Sequence, residues 1–225
     1  MKYTLAFDVY GTLINTYGVF NSLEQMIGDK AKLFMETWRN KQLEYSFRRG
    51  LMNKYKDFSV CTNDSLEFCC IMFKTDLSKG QKEFLMDEYS VLPSFADVES
   101  SLKNLKEAGH KLFAFSNGSG KAITKLLTDA KIIDRFDGII SVEGIGIFKP
   151  SPLVYEYFNS ETNSAKSDSW LISSNPFDVI GAISYGMRSA WVQRSQNSIF
   201  DPWGIEPTLI INQLTDLPMK LEKMK

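Results

Sequence analysis

The chain has 225 residues, of which 44% are hydrophobic and 24% are charged. This length and this hydrophobic content are enough for a substantial buried core. Its 26 lysine and arginine residues are nearly balanced by 27 aspartate and glutamate residues, so the composition lacks the basic field that attracts nucleic acid. The sequence contains no run of about 18 apolar residues, so it predicts no membrane-spanning helix. We therefore expect the partner to be a small molecule, and neither nucleic acid nor a membrane.

The first predicted element is a buried strand in TLAFDV, residues 4–9. An acid interrupts the apolar part of the opening MKYTLAFDVYG, and no small-residue cleavage site follows it, so the stretch does not resemble an export signal. We expect a cytoplasmic protein on this ground. An unpaired carboxylate inside a buried strand is costly, which predicts that Asp8 lies where the strand ends.

Helical patterns occupy residues 15–92, a segment without a convincing strand. The amphipathic stretches are KAKLFMETWRNKQLEYSFRRGLMNKY, NDSLEFCCIMFK and KEFLMDEYSVL, each with its large apolar residues on one face. Three cysteines, Cys61, Cys69 and Cys70, lie in or just before the second stretch. Their odd number and the lack of Cys-x-x-Cys spacing favour structural thiols over a disulfide framework or a zinc site.

From residue 93 onward, short apolar strands alternate with helices. The predicted strands are KLFAFS, GIISV, WLISS, SAWVQ and TLII, and the predicted helices are DVESSLKNLKEAG, GKAITKLLTDAKI, PLVYEYFNSE and PFDVIGAISYGM. This alternation predicts an α/β fold with a parallel sheet formed by residues 1–14 and 93–225, into which residues 15–92 are inserted as a helical unit. The tail LPMKLEKMK is predicted to be a solvated helical end.

Polar side chains follow the predicted strands at the points where the strands end. They are Asp8, then Ser116 and Asn117, then Lys149, and finally Ser173, Ser174, Asn175 and Asp178. Because ligands of parallel sheets bind at the carboxyl ends of the strands, we expect these groups to converge on one edge. The single histidine, His110, falls in a turn before a strand, which disfavours a Ser-His-Asp or Cys-His hydrolase. Acid and base chemistry is thus left to carboxylates, lysine or tyrosine.

Four of these segments, in order and spacing, resemble the core motifs of the haloacid dehalogenase superfamily, and specifically of its L-2-haloacid dehalogenase branch. The segments are FDVYGTL, SNGS, FKPSPLVYE and SSNPFD. The stretch WRNKQLEYSFRRGLMNKYKDF, residues 38–58, is also closely similar to a helix of that branch's cap domain. The resemblance covers most of the chain and implies a Rossmann-like, HAD-like core with an inserted helical cap and the active site between the two.

The resemblance further implies a hydrolysis of (S)-2-haloalkanoic acids to (R)-2-hydroxyalkanoic acids and halide, with inversion and without a cofactor or metal. Asp8 would be the nucleophile that forms an aspartyl ester, and Lys149 would keep it ionised and in place. Asp178 and Asn175 would orient and activate the water that cleaves the ester. A possible homodimer is implied as well.

Other residues of the chain match substrate-binding positions of the branch. Arg39 corresponds to a cap arginine that meets the departing halide, a role suited to an always-charged guanidinium. The hydroxyl and amide side chains that would bind the nucleophile or the substrate carboxylate are Thr12, Ser116, Asn117 and Ser173. The side chains that would line the pocket are Tyr10, Leu43, Phe58, Tyr155 and Phe177. For Leu43 and Phe58, simple core packing at helical spacing is an equal alternative.

Alternative functions remain open on the sequence alone. Phosphatases of the superfamily carry a second aspartate two residues after the first, where this chain has Tyr10, so the sequence points away from magnesium-dependent phosphoryl transfer. A binding or regulatory module would be expected to lack at least one of Asp8, Lys149 and Asp178, yet all three are present. A fluoroacetate-type dehalogenase stays possible.

Two residues depart from the pattern of the branch. Phe177 stands where tryptophan is common, and Gly120 stands where proline is common.

Overall fold

A computed structural model describes residues 2–224 of the chain. Its centre is a six-stranded parallel sheet with the strand order β3-β2-β1-β4-β5-β6. The strands are β1 (Thr4–Phe7), β2 (Lys111–Ser116), β3 (Gly138–Ser141), β4 (Ser169–Ser173), β5 (Arg188–Val192) and β6 (Leu209–Ile211). All residues of β1 and β4 are buried, as expected for central parallel strands that are covered on both faces. The predicted α/β fold with a parallel sheet is confirmed.

The strand register brings three strand ends to the same level. Phe7, the last residue of β1, pairs with Ala114 of β2 on one side and with Ile172 of β4 on the other. In the sheet, β2 and β3 lie on one side of β1, and β4, β5 and β6 lie on its other side, so the direction of strand addition reverses at β1. Such a switch point creates a crevice at the carboxyl ends of the strands, which is where ligands bind in this class of sheet.

Five α-helices lie between β1 and β2, and the first four of them fall within residues 15–92. They are α1 (Phe20–Ile27), α2 (Ala31–Leu51), α3 (Phe58–Phe73) and α4 (Lys79–Tyr89). Helix α3 begins after Asp57, whose side chain accepts a hydrogen bond from the backbone N–H of Ser59, and Ser78 and Gln81 form a capping box that begins α4. The first of these helices was not predicted, because eight residues give too short a periodic pattern.

Five further helices alternate with the remaining strands, as predicted. They are α5 (Val98–Glu107), α6 (Gly120–Asp129), α7 (Pro152–Thr162), α8 (Pro176–Tyr185) and α9 (Leu217–Glu222). The prediction of a solvated end at α9 was wrong in part, since Leu217 and Leu221 are buried in the hydrophobic core. Lys225, the final residue of that predicted stretch, lies outside the described residues.

The three cysteines lie in α3, and all three are buried, unpaired thiols. Burial raises the pKa of the Cys61 thiol to about 11 and that of Cys69 to about 12, so both stay protonated near neutral pH. They behave as small packing residues of the helix. Within residues 2–224, no helix combines the length and the apolar character needed to cross a bilayer.

Candidate active site

Asp8 lies immediately after β1, and its backbone N–H still donates to the Ile172 carbonyl of β4 at 3.0 Å. The chain then turns sharply, and Gly11 adopts a φ of 83°, a left-handed conformation that strains residues with a Cβ atom. This turn places the Thr12 hydroxyl beside the Asp8 carboxylate, which is 7% exposed. The side chain that ends the strand is thus held at the sheet edge and almost withdrawn from solvent.

The two carboxylate oxygens of Asp8 have different surroundings. Oδ2 accepts three hydrogen bonds, from Thr12 Oγ1 at 2.9 Å, Ser173 Oγ at 3.2 Å and Asn175 Nδ2 at 2.7 Å. Among residues 2–224, the hydrogen bond given to Oδ1 is a long one, from Lys149 Nζ at 3.4 Å. Oδ2 is therefore fixed by donors, while Oδ1 keeps lone pairs that are free to react.

The donors to Asp8 are themselves oriented by backbone groups. The N–H of Ser174 donates to Thr12 Oγ1 at 2.9 Å, which directs the hydroxyl proton of Thr12 toward Asp8. In the same way, the N–H of Asn175 donates to Ser173 Oγ at 3.1 Å. Asp8 thus faces a set of donors whose direction the loop after β4 determines.

Lys149 is the cation of the site and is 1% exposed. Its ammonium group donates to the Phe115 carbonyl at 2.9 Å and to Asp178 Oδ2 at 2.8 Å, besides the longer contact with Asp8. The same group lies 4.1 Å from the centroid of the Phe115 ring. One buried positive charge therefore contacts two carboxylates, and its removal would leave both without their cation.

Asp178, in the first turn of α8, is completely buried. Burial raises the pKa of Asp178 to about 6; the nearby Asp8 charge adds to this rise, and Lys149 opposes it. Tyr155 donates its hydroxyl proton to Asp178 Oδ1 at 2.8 Å. A carboxylate with a raised pKa is a stronger base than an ordinary aspartate, which suits it to accept a proton from water.

Tyr155 is the partner of Asp178 on α7. Its ring is fully buried in α7, and its hydroxyl contacts the side chain and the carbonyl of Asp178. Burial and the Asp178 charge hold the pKa of Tyr155 well above its usual range, so the hydroxyl remains a donor. The structure therefore places the Tyr155 hydroxyl against Asp178, and its contact with substrate stays a prediction.

The loop after β2 supports the lysine. Asn117 accepts a hydrogen bond at its Oδ1 from the backbone N–H of Lys149, at 2.9 Å, and Ser116 Oγ accepts from the N–H of Gly118 at 3.1 Å. Both side chains are buried. These contacts bring the predicted strand ends of β1, β2 and β4 and the Lys149 loop together at one site.

Arg39 of α2 reaches this site from the helical insertion. Its Nη2 lies 3.5 Å from Asn175 Oδ1, and Asn175 in turn donates to Asp8. The Nη1 of Arg39 donates to Gln42 Oε1 at 2.6 Å. A guanidinium of the insertion thus stands one side chain away from the carboxylate of the sheet.

Aromatic rings enclose the same region. Tyr10 is buried, with its ring centroid 5.8 Å from those of both Phe58 and Tyr89. Burial also raises the pKa of the Tyr10 hydroxyl, which stays neutral. Phe177 meets Phe47 of α2 with centroids 5.1 Å apart. These rings form an aromatic wall where the helices between β1 and β2 meet the sheet edge, with Tyr10 and Phe58 buried and Phe47 and Phe177 half-buried.

Leu43 lies half-buried against the hydrophobic core. Its neighbour in the sequence, Gln42, lines a cavity of about 280 Å³ together with Val19, Met35, Trp38, Arg39 and Tyr89. Gln42 and Tyr89 were not among the predicted site residues. The sequence held one signal for Gln42, namely its position three residues after Arg39, which puts both on neighbouring positions of one helix face. No comparable signal pointed to Tyr89.

The site thus combines a strand-end carboxylate, a buried lysine and a second buried aspartate, and Arg39 approaches it from the helices between β1 and β2. The model of the haloacid dehalogenase-like hydrolase family matches residues 5–192, and the chain belongs to that family. The family expected from the motifs is thereby confirmed.

Three similar proteins are named as dehalogenases. An (S)-2-haloacid dehalogenase from Pseudomonas sp. (strain YL) is 34% identical over 210 residues, covering 93% of this chain and 90% of the relative. Haloacetate dehalogenase H-2 from Moraxella sp. (strain B) is 33% identical and covers 92% of each chain. The structure of L-2-haloacid dehalogenase from Xanthobacter autotrophicus with chloropropionic acid covalently bound is 27% identical, has a TM-score of 0.92 and covers 100% of both chains.

Proposed function

We propose that this protein hydrolyses (S)-2-haloalkanoic acids to (R)-2-hydroxyalkanoic acids and halide through an ester on Asp8. The observation that carries the proposal is the asymmetry of the Asp8 carboxylate, in which Oδ2 accepts three hydrogen bonds and Oδ1 only one long one among residues 2–224. Names of similar proteins support the same reaction class, and the chloropropionic acid covalently bound in the Xanthobacter relative supports a covalent intermediate.

In the first step, a lone pair of Asp8 Oδ1 attacks C2 of the substrate from the side opposite the halogen. The new C–O bond forms as the carbon–halogen bond breaks, the bonding pair leaves with the halide, and the configuration at C2 inverts. Arg39 is within one side chain of Asp8 and is proposed to stabilise the negative charge that develops on the halide. A halide needs no proton to leave, so this step requires no general acid.

In the second step, water adds to the Cγ carbon of the ester. Asp178 takes a proton from that water, a role supported by its raised pKa. The bond between Cγ and the ester oxygen then breaks, and Asp178 returns its proton to the departing alkoxide of the product. The second proton of the water, left on the Asp8 carboxyl group, is released to solvent, which regenerates the carboxylate with one oxygen from water. Asn175 contacts Asp8 directly, and we assign it the orientation of the attacking water.

The substrate pocket is proposed to lie between the aromatic wall and the sheet edge. Tyr10, Phe58, Leu43 and Phe177 would surround the alkyl group and the halogen, since all four lie where the insertion meets the sheet or beside the cavity. Thr12 and Ser173 bind the nucleophile. For Ser116 and Asn117 we propose contact with the substrate carboxylate, in addition to the loop contacts described above.

The decisive experiment measures halide release from (S)-2-chloropropionate, with EDTA and separately with magnesium, and determines the configuration of the lactate formed. Chloride release that survives EDTA and yields D-lactate is the expected result. With enzyme in excess over substrate in ¹⁸O-water, the label should enter Asp8 and be absent from the lactate. Asp8→Asn should release no chloride, because an amide is not nucleophilic.

Parallel reactions separate the alternatives. Phosphate release from p-nitrophenyl phosphate that depends on magnesium, without chloride release, would replace the proposal by a phosphatase. Chloroacetate and fluoroacetate belong in the same assay, because the Moraxella relative is named for haloacetate. Fluoride release at a rate comparable to that of chloride would extend the substrate class to the stronger C–F bond.

We also propose the finer features that the sequence predicted: residues 15–92 as a cap over a core of residues 1–14 and 93–225, a homodimer, and a cytoplasmic location. Exposed apolar side chains on α2 and α3 support the dimer, and they include Leu33, Leu51 and Ile71. The buried free thiols suit a reducing compartment. Sedimentation equilibrium of the wild-type chain and cell fractionation test these features.

A further inference from the structure

Gln42 is a polar residue in the middle of a packed helix. It is 1% exposed, and it stands in α2 close to the buried rings of Trp38 and Tyr89. Burying an amide costs free energy unless its donors and acceptors form hydrogen bonds, so the hydrogen-bond partners of Gln42 have to be identified. An aliphatic residue of similar length would fill the same space without that cost.

The amide of Gln42 is satisfied by three helices. Its Oε1 accepts from Arg39 Nη1 at 2.6 Å and from the Tyr89 hydroxyl of α4 at 3.2 Å, and its Nε2 donates to Thr62 Oγ1 of α3 at 2.5 Å. Thr62 donates its own proton to the Phe58 carbonyl at 3.0 Å, which leaves its oxygen free to accept. Because a guanidinium can only donate, Oε1 of Gln42 has to face Arg39, and this fixes the orientation of the amide.

We propose that Gln42 is a positioning residue that holds the Arg39 guanidinium against Asn175 and so in line with the departing halide. The hydrogen-bonded path runs from Thr62 through Gln42 and Arg39 to Asn175 and ends at Asp8. The proposal rests on the halide chemistry assigned to Asp8 and Arg39. It gives a reason for burying an amide between α2, α3 and α4.

An arginine without such a partner would be poorly placed. Its side chain has several rotatable bonds, and the cavity beside it offers about 280 Å³ into which the guanidinium could turn away from Asn175. Gln42 Oε1 removes that freedom by engaging Nη1, and leaves Nη2 facing Asn175. A displacement of about 1 Å at a reacting centre can cost about a hundredfold in rate, so this restraint has a measurable effect.

The test compares Gln42→Leu with Gln42→Glu and with a matched control. Gln42→Leu removes both the acceptor for Arg39 and the donor to Thr62, whereas Gln42→Glu keeps an oxygen for Arg39. The control is Ser46→Ala, one helical turn further along α2, because Ser46 is equally buried and its hydroxyl donates only to the Leu43 carbonyl among the described hydrogen bonds. Each variant is assayed with 2-chloro- and 2-bromopropionate.

Gln42→Leu should lower kcat by about a hundredfold with a smaller change in KM. The loss should be greater for the chloro substrate, because chloride is the poorer leaving group and depends more on Arg39. Gln42→Glu should recover most of the rate, and Ser46→Ala should keep both the rate and the chloro-to-bromo ratio. Equal losses in Gln42→Leu and Ser46→Ala, or an unchanged ratio, would overturn the proposal.

A double-mutant cycle with Arg39→Lys separates positioning from general support of the helix. If Gln42 acts through Arg39, then Gln42→Leu should add little to the loss already caused by Arg39→Lys, whereas a purely structural role gives multiplying losses. A crystal structure of Gln42→Leu gives an answer that does not depend on catalysis: Arg39 should leave Asn175, and an unmoved guanidinium would refute the idea. Lack of halide release by the wild type would instead refute the proposed function.

Discussion

Replacing Lys149 by methionine should disable the enzyme and steepen the loss of its stability as the pH rises. The substitution keeps an unbranched side chain of similar length but removes the charge. In the wild type, that charge is 1% exposed and contacts Asp178 at 2.8 Å, Asp8 at 3.4 Å and the Phe115 carbonyl at 2.9 Å. Lys149→Met therefore leaves two buried carboxylates and one carbonyl without their cation.

The size of the effect follows from that geometry. Removing one partner of a buried ion pair costs about 3 to 5 kcal/mol. Since about 1.4 kcal/mol corresponds to a tenfold change in rate, a cost borne by the transition state predicts a fall in kcat of about two to four orders of magnitude. Without Lys149, the pKa of Asp178, already raised by burial, has to rise further.

The sign of the pH effect can be stated in advance. A carboxyl group whose pKa is raised in the folded state stabilises the fold at low pH, and this contribution is lost as the pH rises through the folded-state pKa. Lys149→Met should therefore lose more of its Tm between pH 5 and pH 8 than the wild type. The control is Lys125→Met, since Lys125 pairs with Asp129 in a surface salt bridge and contributes little.

Thermal denaturation and stopped-flow halide release measure the two effects. A loss of kcat below tenfold, together with a pH dependence of Tm like that of Lys125→Met, would refute the reasoning. It would mean that solvent or a rearranged side chain replaces the cation, and that the two carboxylates are not held in a buried site.

Three further predictions concern the water-activating side of the site and its support. Asp178→Asn should give one equivalent of halide per chain and then stop, because the ester forms but water is not activated; intact-protein mass spectrometry should detect the added substrate, and an unmodified mass in the stalled enzyme would contradict the role. In the wild type, kcat should fall as the pH drops through about 6, because protonated Asp178 cannot accept a proton; a flat kcat profile from pH 5 to pH 8 would argue against this base. Asn117→Ala leaves the backbone N–H of Lys149 without its acceptor and should lower the free energy of unfolding by about 1 to 3 kcal/mol, which a urea titration measures; an unchanged midpoint would contradict the contact.

The sequence was sufficient to predict the convergence of the site because of one property of parallel sheets. Asp8, Asn117 and Ser173 each follow an apolar run, and in a parallel sheet all such ends fall on one side. Neither the order of strands nor the register was needed for that conclusion. The contact of Lys149 with Asp8 was expected from the resemblance of FDVYGTL and FKPSPLVYE to the family motifs.

The surroundings of Tyr155 and Gln42 were beyond the sequence. Helical periodicity indicates which face of a helix is buried, but it does not identify the residue on the opposing element. Tyr155 lies in α7 and meets Asp178 of α8, a contact set by the packing of two helices. Gln42 depends on Thr62 and Tyr89 from two other helices, so its role requires three helices to be placed at once.

Helix α2 connects the interior of the insertion to Asp8 without interruption from Ala31 to Leu51. Phe34 and Trp38 of this helix are buried in the core. Arg39 follows Trp38 directly, so the direction of its side chain is fixed relative to these two residues. One inserted residue would rotate everything after it by about 100° and carry the guanidinium off the reaction axis. The linkers at residues 52–57 and 74–78 tolerate extra residues far better. Among functional descendants of this chain, length changes should therefore collect in those linkers and spare α2 before Arg39.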